Sequence, residues 1–223
     1  MGRRSRLRAP RQPLYLGGHP RQAGGYIGSD WRYHAGVGAT RGIHIIWTTY
    51  GTWLPGDPRG HWSALFDLYG RLKQAGHQLN LPDVDTYSRA RSLMKESSRT
   101  LSVDEMRIAA DVLGSYIAPD LSGVSGADRP ICRACAIEAT HVHLLVGPVR
   151  QPIGKFVGRL KGTSSSTILR HSNNAGRNRV WTAGYWKVFL FDDEAVNAVA
   201  QYIETHNTRR ERPEAPYPWI TPI

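Results

Sequence analysis

The chain has 223 residues, and its 29 Lys and Arg against 18 Asp and Glu give a formal charge of +11 at neutral pH. That length suits one well-buried core with a tail rather than two domains. No run approaches the roughly eighteen apolar residues of a membrane helix, and two cysteines alone exclude a disulfide scaffold and fit a reducing cytoplasm.

The charge is front-loaded, because the first 41 residues hold eight arginines against Asp30 alone, +7 of the +11. Residues 1–41 are rich in Gly, Pro and Arg without apolar periodicity and read as a basic, disordered tail. Such a tail adds nonspecific nucleic-acid affinity, unless translation begins nearer Val37. Residues 43–50 (IHIIWTTY) are β-branched and aromatic and read as a first strand, ended by the Gly and Pro of GTWLPGDPRG. Residues 61–99 mix isolated apolar residues with glycines and charges, which suggests an irregular excursion with a short helix near 85–95.

Ser102-Val103-Asp104-Glu105 is a capping box, opening a helix in which Met106, Ala109, Val112, Leu113, Tyr116 and Ile117 follow the 3.6-residue period. A strand over 131–138 follows. Cys132 and Cys135 within it have zinc-ligand spacing but no second pair of partners, and read as strand residues. His141-Val142-His143 then begins another strand so soon that the two make a tight hairpin turning at 138–140. Strand alternation sends both imidazoles to one face and Val142, Leu144 and Val146 to the other.

Pro152 opens a second helix with Ile153, Phe156, Val157, Leu160 and Ile168 on its apolar stripe. Residues 150–179 contain seven basic and no acidic residues, a patch suited to a phosphate backbone, in which Lys155, Arg159, Lys161, Arg177 and Arg179 are the candidate DNA contacts. Residues 173–178 read as a loop and 185–191 as the last strand. Asp192 or Asp193 caps a final helix with Val196, Val199 and Ile203 as its buried stripe. The resulting order, β-α-β-β-α-β plus one helix, is the α+β, ferredoxin-like (split βαβ) plan: a four-stranded antiparallel sheet with helices on one face. Domain boundaries follow as a catalytic domain over 42–210 and a C-terminal tail over 211–223.

On the last helix Tyr202 and His206 stand four apart and share a side. His141 and His143 can chelate a divalent ion, and His206 suits a third ligand. Tyr202 is then the candidate nucleophile for phosphodiester chemistry, attacking in line to give a 5′-phosphotyrosine. Three imidazoles favour softer ions such as Mn²⁺, Ni²⁺ or Zn²⁺ over Mg²⁺.

HVHLLV (141–146), a basic helix with LKGTSS (160–165), WTAGYW (181–186) and YIETH (202–206), in that order, resemble the single-tyrosine HUH transposases of the smallest insertion sequences. WTTYGTWLPGDPRG (47–60) is similar to the branch associated with repetitive extragenic palindromic (REP) sequences, and the resemblance spans about residues 42–210. It implies a bacterial cytoplasmic enzyme that binds hairpins in single-stranded DNA and uses Mg²⁺ or Mn²⁺ to nick nearby and transfer strands through phosphotyrosine. By matching positions, His141 and His143 are ligands and Tyr202 the nucleophile. Two residues depart from the family pattern: His206, where glutamine or another polar ligand is frequent, and Thr140, where an acidic residue or asparagine is expected. Insertion-sequence members work as homodimers, whereas palindrome-associated relatives can act as monomers.

Rival readings are a domesticated, non-catalytic binder of single-stranded DNA or RNA, a relaxase or replication initiator of the HUH type, and a metal hydrolase without a covalent intermediate. The last predicts cleavage that survives loss of the Tyr202 hydroxyl.

Overall fold

The computed structural model describes residues 39–58, 83–117, 129–172 and 178–223. In chain order these form β1 (Gly42–Thr48), α1 (Val84–Ser92), α2 (Val103–Ile117), β2 (Cys132–Ile137), β3 (His141–Val146), α3 (Ile153–His171), β4 (Trp186–Leu190) and α4 (Asp193–Thr208). The strands make one antiparallel sheet in the order β2-β3-β1-β4. This is the ferredoxin-like plan, with α1 added in the first crossover and α4 added after the last strand. Of the expected tail, residues 1–38 lie outside the described residues, as do 61–82 of the excursion and 173–177 of the expected loop.

Strand alternation divides the core in two. Ile43, Ile45, Trp47, Cys135, Ile137, Val142, Leu144 and Val146 pack against α2 and α3 through Ala109, Leu113, Ile117, Phe156, Val157, Leu160 and Ile168. Ala134, Ala136, Leu145, Val188 and Leu190 meet Val196, Val199, Ala200 and Ile203 of α4 on the opposite face. Full burial of each large aliphatic side chain contributes about 1.5–3 kcal/mol, so both faces hold the sheet. Cys132 and Cys135 are buried strand residues with free thiols.

The helix starts follow from their caps. Glu105 N–H donates to Ser102 Oγ at 3.2 Å and Ser102 N–H to Glu105 Oε2 at 3.1 Å, the reciprocal box expected from the sequence. The same carboxylate takes Arg99 Nη2 at 2.6 Å and the Ser172 hydroxyl at 2.5 Å, so one buried charge joins the start of α2 to the end of α3. Asp192 caps α4 by accepting from Ala195 N–H at 2.7 Å. Pro152 precedes α3 without a side-chain cap. The helix expected near 85–95 ends at Ser92, because Lys95 N–H is taken by the Tyr50 hydroxyl at 2.9 Å.

LKGTSS and WTAGYW meet in space. Ser164 Oγ accepts from Trp181 Nε1 at 3.0 Å, and Lys161 Nζ donates to the carbonyls of Thr182, at 2.7 Å, and Gly184. Gly184 has φ +81°, a left-handed value that favours glycine. Thr182 Oγ1 in turn donates to Thr49 O at 2.8 Å, which ties this loop to the end of β1.

Within residues 211–223, Trp219 and Ile220 pack on the domain. Ile220 forms a parallel bridge with Cys132, and Thr221 N–H donates to Cys132 O at 2.8 Å. Trp219 rests against Gly114 of α2, where a Cβ would stand only 2.5 Å from its ring. The physical reason is the edge of β2, whose backbone groups need partners. Thr221 N–H supplies one, and the neighbouring Trp219 and Ile220 bury their side chains.

Candidate metal and tyrosine site

β3 runs between β2 and β1, so alternation alone decides what each of its residues meets. His143 pairs with Ile46 and with Ala136, and His141 pairs with Thr48, which puts both imidazoles on the α4 side. They do not face open solvent. α4 lies over them and brings Tyr202 and His206 down on the same spot, with His143 only 2% exposed and His141 partly buried.

One nitrogen of each of His141, His143 and His206 lies within 4.8 Å of the others. Ring centroids are 4.9 Å apart for His141 and His143, 4.5 Å for His143 and His206, and 5.6 Å for His141 and His206. The Tyr202 ring completes the cluster at 5.0 Å from His206 and 5.5 Å from His143. The cleft therefore unites all four residues that the sequence puts forward, from two segments about sixty positions apart.

The donor set fits a divalent ion on three observations. His206 Nε2 is buried with no hydrogen-bond partner among the described residues, an expensive state unless something coordinates it. His141 Nδ1 bonds Thr140 Oγ1 at 3.0 Å and His143 Nδ1 bonds His44 Nε2 at 3.1 Å, so each strand histidine has its other nitrogen available. Burial also keeps the rings neutral. It lowers His141 to about 4, with His206 and Arg210 adding repulsion, and His143 well below the ordinary range, with His44, His141 and His206 adding to the effect. His206 is lowered by burial first and then by Arg209 and Arg210. Neutral imidazoles keep the lone pair that coordination requires.

The Tyr202 hydroxyl is pushed above its ordinary value by burial, a rise that the nearby Arg209 opposes. It is therefore protonated at neutral pH. Trp53, from the loop after β1, stands edge-on to His141 at 6.1 Å.

The candidate DNA contacts are arranged otherwise. Lys155 and Arg159 are exposed on α3, across the sheet from the cleft. Lys161 is half-buried and commits its ammonium to the carbonyls of Thr182 and Gly184, and burial lowers it to about 8. Arg179 stacks over the Tyr50 ring at 5.4 Å and pairs with Glu96 at 3.7 Å. Arg177 lies outside the described residues.

Sequence reasoning missed five contributors. His44 is buried at 1% exposure beneath Tyr202; the only signal was a lone imidazole inside an apolar strand, in register with Val188 and Leu145. Glu138 is buried beside the hairpin turn and holds Arg210 at 3.2 Å, while Asn207 Nδ2 donates to Cys135 O and Arg212 Nη1 to Ile137 O, each at 2.9 Å. These bonds clamp the end of α4 to β2. Arg209 follows Tyr202 by seven positions and so returns to the same side of the helix.

Residues 130–206, which hold all four site residues, match the family described as "Transposase IS200 like". No curated protein matches the chain. Among the solved structures similar to it are two transposases. One is a Deinococcus radiodurans R1 protein assigned as a transposase, 15% identical over 77% of this chain and 94% of that one, with a TM-score of 0.38. The other is a REP-associated tyrosine transposase bound to a REP hairpin, 7% identical over 78% of this chain and 70% of that one, also with a TM-score of 0.38. The family match over 130–206 agrees with the resemblance carried by the motifs of that segment.

Proposed function

We propose that this IS200-like transposase domain nicks single-stranded DNA beside a hairpin and rejoins it through a covalent bond to Tyr202. The observation that carries the reading is the meeting of Tyr202 with His141, His143 and His206 in one cleft of one chain. The Tyr202 oxygen attacks the scissile phosphorus in line, the bond from phosphorus to the 3′ oxygen breaks, and a 5′-phosphotyrosine forms with release of a 3′ hydroxyl. Tyr202 gives up its proton as the leaving oxygen gains one. Attack by a 3′ hydroxyl on the phosphotyrosine reverses the sequence, so rejoining needs no nucleotide energy source.

His141, His143 and His206 would hold a divalent ion, Mn²⁺ in preference to Mg²⁺ given three imidazoles, which when bound withdraws charge from the phosphate. Clamping of α4 by Glu138, Asn207 and Arg212 keeps the tyrosine over its histidines. Arg209, exposed beside Tyr202, faces the phosphate, and Lys155, Arg159 and Arg179 take the DNA backbone further out. Because the site is complete within one chain, a monomer suffices for nicking. No helix among the described residues is long and apolar enough to cross a membrane, and we place the protein with the DNA of a bacterial cytoplasm.

The test is a denaturing gel of labelled single-stranded hairpin DNA from the flanks of its own coding region, incubated with Mn²⁺ and either the protein or Tyr202→Phe. A metal-dependent covalent adduct absent from the variant is expected. Cleavage that persists in the variant would point to hydrolysis, and tight binding without cleavage to a non-catalytic binder.

A further inference from the structure

We propose that His44 is a positioning residue, which fixes the tautomer and ring orientation of His143 so that His143 Nε2 is free to coordinate. This rests on the reading of His141, His143 and His206 as metal ligands. His44 Nε2 and His143 Nδ1 are 3.1 Å apart, and the two rings stack at 5.4 Å with 26° between their planes. Both residues are almost wholly buried, at 1% and 2% exposure, so water does not compete for that contact.

A neutral imidazole carries one proton on one of its two nitrogens. A hydrogen bond between these two nitrogens therefore has two forms. If His143 Nδ1–H donates to His44 Nε2, His143 Nε2 keeps its lone pair and can bind a cation. If His44 Nε2–H donates, the His143 proton sits on Nε2 and blocks coordination. Only the first form is competent, and it needs an acceptor where His44 Nε2 stands.

The fold places that acceptor through strand register. Ile46 pairs with His143, so His44, two residues earlier on β1, points to the same face one step along the sheet. The ring is walled in by the edge of Trp186 at 6.1 Å and by Tyr202 at 6.4 Å, which hold it against turning away. Thr140 makes the corresponding contact with His141, but a hydroxyl rotates to donate or accept and so selects no tautomer. Partners of this kind, one step behind a ligating histidine, typically change metal affinity by about 10–100-fold when removed.

His44→Phe keeps a flat ring and removes the acceptor, whereas His44→Gln puts a carbonyl oxygen near the position of Nε2. Mn²⁺ binding to the full chain without DNA, followed by the electron paramagnetic resonance of free Mn²⁺, is expected to weaken about 10–100-fold in His44→Phe and to recover most of that loss in His44→Gln. Long-range ¹H–¹⁵N correlation spectra of the metal-free wild-type protein should show the His143 proton on Nδ1. Wild-type Mn²⁺ affinity in His44→Phe, a His44→Gln variant no better than His44→Phe, or a proton on His143 Nε2 would each overturn the inference. His143→Ala separates the two levels: if it leaves Mn²⁺ binding unchanged, the ligand reading itself falls, whereas weakening there without weakening in His44→Phe removes only the role of His44. Should His44→Phe fail to fold, the wild-type tautomer decides the matter.

Discussion

The two faces of the sheet are built from alternate residues of the same strands, yet they do opposite work. Toward α2 and α3, Val142, Leu144 and Val146 pack into an apolar cluster. Toward α4 the lining changes from Leu190, Val188 and Leu145 at one end, through His44 in register with the last two, to His141, His143, Tyr202 and His206 at the other. That end is buried but unfinished, with His206 Nε2 lacking a partner among the described residues. A packed apolar face stabilises by burial alone, whereas buried imidazole nitrogens also need polar partners.

The sharpest break between the faces comes from the nucleophile. Tyr202→Phe removes one oxygen from a half-buried ring and should abolish the covalent adduct on a denaturing gel. Its melting temperature should stay near that of the wild type, since the ring contacts with His143 and His206 remain.

Neighbouring residues of β3 should separate next. Leu144→Ala should cost about 2–5 kcal/mol in urea unfolding, as cavity formation does in a packed core, and leave Mn²⁺ affinity of the folded protein unchanged. His143→Ala should lose Mn²⁺ binding. If Leu144→Ala weakened Mn²⁺ binding as much as His143→Ala does, the functional division of the faces would be wrong.

Acidity should act on one face only. Burial holds His44 at about 3 and His141 at about 4, against 6.5 for a free imidazole. Between those values the unfolded chain binds protons that the folded cleft refuses, so stability rises with pH across the window. The metal-free protein should thus be fully stabilised above pH 6.5 and lose stability as pH falls towards 4. Leu144→Ala should show the same slope, displaced downwards, and a His44→Phe variant that folds should show a shallower one. A flat wild-type profile between those limits would contradict the burial of neutral imidazoles.

The smallest effect belongs to the scaffold of α4. Asp192→Ala removes the side-chain acceptor for Ala195 N–H and should cost about 1 kcal/mol, the usual worth of such a cap. Adduct formation by the folded fraction should persist, because Tyr202 and His206 lie at the far end of the helix, held there by Glu138, Asn207 and Arg212.

Short-range physics made much of this legible in the residues. Alternation in HVHLLV gives the face of each imidazole, the Ser102 and Glu105 pair marks the start of α2, and the Asp192-Asp193 pair marks the start of α4, where Asp192 is the cap. Spacing of four put Tyr202 and His206 on one side of their helix, and the order of elements specified the ferredoxin-like plan. Apart from the element order, each of these depends on residues no more than one turn or one strand apart, where backbone geometry alone fixes direction. Partnerships across the chain were not legible in that way. Whether Lys161 would meet DNA or the carbonyls of Thr182 and Gly184, whether residues 211–223 would trail or cover the edge of β2, and whether His44 would fill the core or support His143 all depended on strand register and on which helix covers which face. Hydrogen bonds reach about 3 Å, so a contact between residues 99 positions apart, as for His44 and His143, exists only once the whole sheet has closed.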